Sequence, residues 1–537
     1  MAFINIYTNN LSRQLTNSRT YIDNWVYVPG TAITGDWKGV HAFTSLDEFI
    51  ATCGDHGVEG GPHTFEYVAG LLSAGLPVLF QRIAYKNQSS VTEEAIQEGT
   101  AVGVKRAKLE VKHTTADETE VVDLVITEKF GGTYGNNLAI TFRDTGLAFW
   151  VDVKLNNATL LESKRIATYL ATASVIEKNT AILNGFLTTQ FDRINVDVKS
   201  DETTYQEMII TGQYLSGGAD FVYTEDEETS FTDLDVAKEI PFYITSITDK
   251  ILYQPKFVTS GGYTDGETME TTHPIADAMK ALTLIRQDCR ALIDLPLGTS
   301  AESQQALAEV VGYTQTASDQ AIPSASICAP WVYMQVGNSQ VWMPPSYAYL
   351  TVIASDLGNG KSAYTPKAGL TSGIIPNIIK TEFEIGSAIS EDWQSDDQVN
   401  INPIMRLQGG SYVIAGNSTL LIPNPNIIEE NAFYESSADL AIIEIRRFVY
   451  NLGTELQYQY NSISAFETFS LKTAKFLNKM KSEGSITDYT IANISSNDEP
   501  RKLKIRLDIF LTPTIKEIEI YLNVAYGSVE MNVGGEA

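Results

Sequence analysis

The chain has 537 residues, 43% of them hydrophobic, and sets 38 Lys and Arg against 66 Asp and Glu for a formal net charge of −28. That length exceeds one ordinary core and points to roughly three to four domains of about 150 residues each. The acidic balance argues against nucleic acid or an anionic membrane as main partner, because phosphate recognition needs clustered Lys and Arg. Cys53, Cys289 and Cys328 have neither close spacing nor a histidine cluster, so neither a disulfide framework nor a zinc site is expected. The N-terminus lacks a basic, leader-like region, and no stretch approaches the roughly 18 apolar residues of a membrane span. The expectation is a cytosolic chain, soluble when made.

In chain order, residues 1–22 read as an arm: β-prone Phe3, Ile4 and Ile6, then a polar run from Thr8 to Thr20. Residues 23–90 open an α/β layer, with a strand over Trp25–Pro29, a helix from Leu46 capped by Ser45, a helix over Thr64–Ala74 stopped by Gly75, and a strand over Val78–Ala84. From Val91 to about Asp235 helical order nearly disappears. The Gly131-Gly132-Thr133 turn feeds a strand over Leu138–Arg143, with further strands over Val121–Thr127 and Phe149–Leu155, so a β-rich insert is expected. Its end is marked by Ser216-Gly217-Gly218 and the acidic run Glu225–Glu228, read as a solvated linker.

Residues 236–430 resume the α/β alternation: strand Ile240–Thr245, helix Ile275–Arg286, strand Arg290–Leu295, helix Glu302–Thr314, strand Ala325–Tyr333. This order predicts a mainly parallel sheet with helices on both faces. Ser346 is expected to cap a helix over Tyr347–Leu357. Residues 431–514 read as an α+β unit that opens with a helix over Ala438–Leu452, stopped by Gly453. A second helix places Phe466, Phe469, Phe476 and Met480 on one face and Lys472, Lys475 and Lys479 on another, before Gly484 stops it. Leu503, Ile505, Leu507 and Ile509 then alternate with charged residues as a half-buried strand. The pattern resumes in a final arm, 515–537, as Ile518, Ile520, Leu522 and Val524.

Catalytic motifs are offered and refused. Gly360-Lys361-Ser362 ends like a phosphate loop, but the required upstream glycine is Ser355 and the tripeptide follows a helix. Gly298-Thr299-Ser300-Ala301 resembles the nucleophile motif of subtilisin-like proteases, and Asp55-His56-Gly57 offers a base, yet no Asp-Ser-Gly or Asp-Thr-Gly segment supplies the orienting carboxylate. Ser300 reads more simply as a helix cap. Arg446 and Arg447 read as a solvated face or structural ion pairs, with an interface contact as the alternative. The three-lysine stripe is either a solvated face or a dock for an acidic partner surface.

Ala291-Leu292-Ile293-Asp294-Leu295-Pro296 reads as a strand ending in Asp-x-Pro, Ala329-Pro330-Trp331 as a strand ending in Pro-Trp, and Val341 to Ser346 as a Pro-Pro-Ser before a helix. Ile401-Asn402-Pro403-Ile404 and Ile445-Arg446-Arg447 follow in order. In this ordered set of motifs the chain resembles the sheath proteins of contractile tails and related injection devices. Tyr347 and Ala348 stand where that family commonly has glycine, which marks a divergent member. The resemblance implies a non-catalytic, subtilisin-like doubly wound core, an inserted β-sandwich from about Val91 to Gly217, and arms that exchange strands with neighbouring copies. It further implies a virion tail component assembled in a bacterial cytoplasm: a helical homopolymer around an inner tube, capped by baseplate and terminator proteins. No cofactor, metal, nucleic acid or membrane insertion is expected. The lysine stripe is the expected tube contact. A static tube, capsid or surface-layer protein, or a Ser300 hydrolase, are the alternatives.

Overall fold

The computed structural model describes residues 24–514 apart from 115–116, 145–148, 167–190, 199–209, 225, 267–270, 315–320, 395–399, 408, 423–431, 459, 461 and 496–501. The arm residues Phe3, Ile4, Ile6, Ile518, Ile520, Leu522 and Val524 lie outside the described residues.

An eight-stranded sheet organises the body, in the order Tyr412–Ile414, Asn402–Arg406, Ala325–Ala329, Arg290–Ile293, Phe257–Val258, Val26–Gly30, Val78–Arg82 and Val40–Phe43. The six inner strands run parallel and each edge strand runs antiparallel. Val26–Gly30, Val78–Arg82, Arg290–Ile293 and Ala325–Ala329 are buried along their whole length, as strands covered on both faces must be. On one face lie the helices Thr64–Ser73 and Pro345–Gly358, which bury Tyr67, Leu71, Tyr347 and Leu350. On the other lie Asp233–Ser246, Pro274–Arg286 and Ala301–Val311, through Ile240, Met279 and Leu307. Gly70 permits one close approach: a Cβ there would sit 2.0 Å from the Tyr347 hydroxyl. The three free cysteines are buried, and burial pushes each thiol up to about 12.

Several elements differ from expectation. Ile240–Thr245 is not a strand but part of the helix Asp233–Ser246. Its β-branched residues suggested a strand, yet Val236, Ile240, Tyr243 and Ile244 recur at helical spacing and form its buried face, and Thr232 and Asp235 close a capping box. The strand that joins the sheet is Phe257–Val258 instead. The run Ala325–Tyr333 divides at Pro330, which has no N–H for a ladder. Its second part, Val332–Val336, joins Ser339–Met343 and Ile378–Thr381 in a separate sheet. A short helix, Glu93–Glu98, is capped by Thr92 where helical order was not expected. Ser346 lies inside the first turn of its helix, with Pro344 at the cap. Gly453 does not stop the first C-terminal helix, which runs from Ser436 to Leu456, because one interior glycine costs only about 1 kcal/mol.

Between the first and second segments of the body lie two antiparallel sheets. Lys108–Thr114, Glu120–Glu128 and Ile194–Val198 form one; Gln213–Tyr214, Leu138–Asp144, Phe149–Leu155 and Thr159–Ile166 form the other. Ile126, Val196, Ile140, Phe142 and Val151 meet in a core of their own. Arg82, fully buried, joins this unit to the body. It donates to Ala32 O at 3.0 Å and Gly35 O at 2.7 Å on one side, and to Phe130 O and Gly131 O, both at 2.8 Å, on the other.

Candidate assembly surface

The C-terminal unit consists of the helices Ser436–Leu456 and Ile463–Ser482 and a hairpin of Ile486–Asn493 with Ile505–Leu511. Ser462 caps the second helix by accepting from Ala465 N, and Gly484 takes φ +83° just past its end. The buried register is Ala465, Phe469, Thr473, Leu477 and Met480, not the four expected aromatic and Met positions as a set. Phe466 and Phe476 are only half-buried, and Phe476 stacks on Phe448 of the neighbouring helix at 4.2 Å and 4°.

Arginines tie this unit to the body. Arg447 is buried and donates to the carbonyls of Gln254, Pro255 and Asp288, each at 3.1 Å. Arg446 is exposed and gives one bond to Gln287 O at 3.2 Å. Of the pair, Arg447 is thus structural through carbonyls. Buried Arg290 donates to Ser436 O at 2.7 Å and lies 3.6 Å from Asp439, and Lys256 pairs with Glu444 at 2.5 Å. Burial raises the Asp439 carboxyl above its usual range, with Arg290 opposing.

Among the described residues, each hairpin strand pairs only with the other. Both outer edges therefore present main-chain N–H and C=O groups over seven to eight residues. Tyr489, Leu507, Ile509 and Leu511 pack inward on the core, while Phe510 is exposed. A lone two-stranded hairpin is marginal in water. A strand edge left open in this way is where a further strand can add, with main-chain bonds for affinity and alternate side chains for register.

Lys472, Lys475 and Lys479 all lie exposed on the helix Ile463–Ser482. The stripe is less purely basic than the sequence suggested, since Lys472 pairs with Glu455 at 2.6 Å and Lys479 lies 3.6 Å from Glu483. Such exposed pairs are worth about 0.2–1 kcal/mol, little enough for a stronger acidic partner to displace. Apolar residues are exposed near the start and middle of this helix: Tyr458, Tyr460, Ile463 and Leu471. Sequence reasoning missed them, although Leu471 falls out of phase with the buried register.

The refused chemistry has structural uses. Ser300 caps the helix Ala301–Val311 by accepting from Ser303 N at 3.2 Å, and His56 meets its neighbour Asp55 at 2.8 Å. Lys361 is held by Thr371 O at 2.8 Å, Ser372 Oγ at 2.7 Å and Asp356 at 3.3 Å. Asp294, of the Asp-x-Pro segment, accepts from Ser346 N at 2.8 Å and Ser346 Oγ at 2.6 Å, and burial lifts its carboxyl to about 7.

No protein-family model matches the chain. The chain is 22% identical over 254 residues to the tail sheath protein of Enterobacteria phage T4, across 44% of this chain and 36% of that protein. It therefore spans about a third of that relative's length. Two solved structures share its fold over nearly the whole chain. The sheath tail protein of Listeria innocua matches with a TM-score of 0.57 at 12% identity, over 92% of each chain. That of Desulfitobacterium hafniense matches with a TM-score of 0.52 at 10% identity, over 94% of this chain and all of the other. The mixed α/β architecture is similar to that of these two proteins.

Proposed function

We propose that this chain is the repeating, non-enzymatic subunit of a contractile tail sheath, which polymerises helically around an inner tube and contracts to drive that tube through a cell envelope. The observation that carries the reading is the C-terminal hairpin, whose strands pair only with each other among the described residues, in a chain whose two terminal segments carry a β-prone sequence pattern. Strands given by neighbouring copies to those edges make a head-to-tail contact, and such contacts repeat into an open helix. Polar segments such as Thr8–Thr20 then let the bodies rotate and slide while the strands stay paired. The extended polymer is a trapped state whose small free-energy gap per subunit sums along the lattice.

Within this reading, the parallel sheet with helices on both faces is the subtilisin-like core, residues 91–235 form the inserted sandwich and linker, and 1–22 and 515–537 are the arms. The helix Ile463–Ser482 turns Lys472, Lys475 and Lys479 toward the tube, and the polymer ends meet a baseplate and a terminator in the virion. Negative-stain imaging tests the polymer: purified full-length protein should form striated tubes. Deleting residues 1–20, or all after Thr514, should leave folded monomers by circular dichroism and sedimentation. Normal tubes from either truncated protein would sink the strand-exchange mechanism.

A further inference from the structure

Two oppositely charged features sit at the two ends of one helix, Asp233–Ser246, whose 14 residues span about 21 Å at 1.5 Å per residue. Just before its start, a turn exposes the carboxylates of Asp226, Glu227 and Glu228. Its shape is fixed from inside: Asp226 Oδ1 accepts from Glu228 N at 3.0 Å, and the Ser230 and Thr224 hydroxyls bond across it. Lys86 meets the turn at its backbone, donating to Glu227 O at 2.8 Å, and pairs with the Asp235 carboxylate, which Lys238 also faces.

Just beyond the other end, the loop 248–256, the end of the helix Pro274–Arg286 and the helix Ser436–Leu456 enclose a cleft of about 240 Å³. Lys250, Arg286, Arg446 and Arg447 line it against one acid, Asp288, which is four positive charges against one negative. Asp288 is already held by Arg286 at 2.9 and 3.0 Å, and Asp249 beside the cleft accepts from the amides of Ile251 and Leu252. Arg286 and Arg447 form the floor through their carbonyl partners, so Lys250 and Arg446 carry the charge at the mouth. Concentrated positive charge in a concavity of a chain with net charge −28 requires an explanation beyond a solvated face. Exposed apolar residues accompany both ends: Tyr223 and Leu234 beside the acidic turn, Ile251 and Leu252 beside the cleft, each about two-thirds exposed or more.

We infer that the acidic turn Asp226–Glu228 of one copy seats in the Lys250/Arg446 cleft of the next copy, a body-to-body contact separate from strand exchange. Opposite charge and apolar rims at opposite ends of one element make a head-to-tail, repeatable contact, the kind a helical polymer needs. The inference rests on the homopolymer reading.

The test uses full-length protein, with association read by sedimentation equilibrium and tubes by negative stain, at low and high salt. Glu227→Lys with Glu228→Lys, on the exposed turn, should weaken association about tenfold and remove its salt dependence. Lys250→Glu with Arg446→Glu should do the same, and all four changes on one chain should restore association. Either pair of reversals associating like wild type, or the four-fold variant failing to recover, overturns the contact, as does a wild-type chain that stays monomeric. Tubes indifferent to every reversal sink this contact and leave the sheath reading standing. Salt-sensitive dimers without tubes do the reverse.

Discussion

Arg447 shows how one guanidinium fixes a unit. Three carbonyls from two loops of the body converge on it, and no carboxylate stands among those three partners. Removing it takes the donor from the buried Pro255 carbonyl, a real cost, and leaves the Gln254 and Asp288 carbonyls at the cleft to be solvated. Arg447→Met is expected to lower stability by about 2–4 kcal/mol in urea unfolding; a loss within about 0.5 kcal/mol would show the carbonyls find other donors. Asp294 carries a pH dependence of defined sign. Burial raises its carboxyl from the usual aspartate range to about 7, so folding takes up a proton between those values. Its contribution is complete below about pH 4 and is lost as pH rises through 7. Asp294→Asn should flatten that part of the stability profile, and an unchanged slope would assign it to other groups. Neither role was legible in the sequence. The double arginine was visible as a motif, but which member turns inward depends on the phase of the helix against the body.

At the scale of elements, the sequence was most readable where one period dominated. The strands Leu138–Asp144 and Phe149–Leu155 and the helices Thr64–Ser73 and Pro274–Arg286 lie within a residue or two of expectation, because alternation or a 3.6-residue repeat ran unbroken to a turn. Reading failed where propensity and period disagreed. The β-branched, aromatic run around Ile240 outweighed a helical spacing that begins four residues earlier, and packing against the sheet decided for the helix. In the helix Ile463–Ser482 the aromatic residues marked a face, but the deepest positions include Ala465 and Thr473, whose burial no hydropathy reading signals. The lysine stripe is tested at this scale. If the stripe makes the proposed tube contact, changing Lys472, Lys475 and Lys479 to Glu should weaken docking to the inner tube while leaving self-assembly intact, as judged by micrographs of tubes with and without sheath; unchanged docking would make the stripe a solvated face.

At the scale of the whole molecule, the alternation of helices and apolar strands was enough to anticipate a parallel layer covered on both faces, and the loss of helical order from Val91 to anticipate a β-rich segment. What the sequence could not supply was the closure between them. Arg82 is an isolated residue at the end of a strand, and its four carbonyl partners come from positions 47 to 50 residues away in the chain. The same holds for the acidic turn and the basic cleft, which become two ends of one object only once the run around Ile240 is a helix.

The three buried thiols have a practical corollary. With Cys53, Cys289 and Cys328 enclosed and their ionisation pushed up to about 12, native protein at neutral pH presents almost no thiolate to a maleimide. A single cysteine introduced at the exposed Lys475 or Glu228 would then be the one reactive thiol among the described residues, and fluorophores placed there would test the proposed contraction through changes in spacing between copies, without first stripping the native sulfurs.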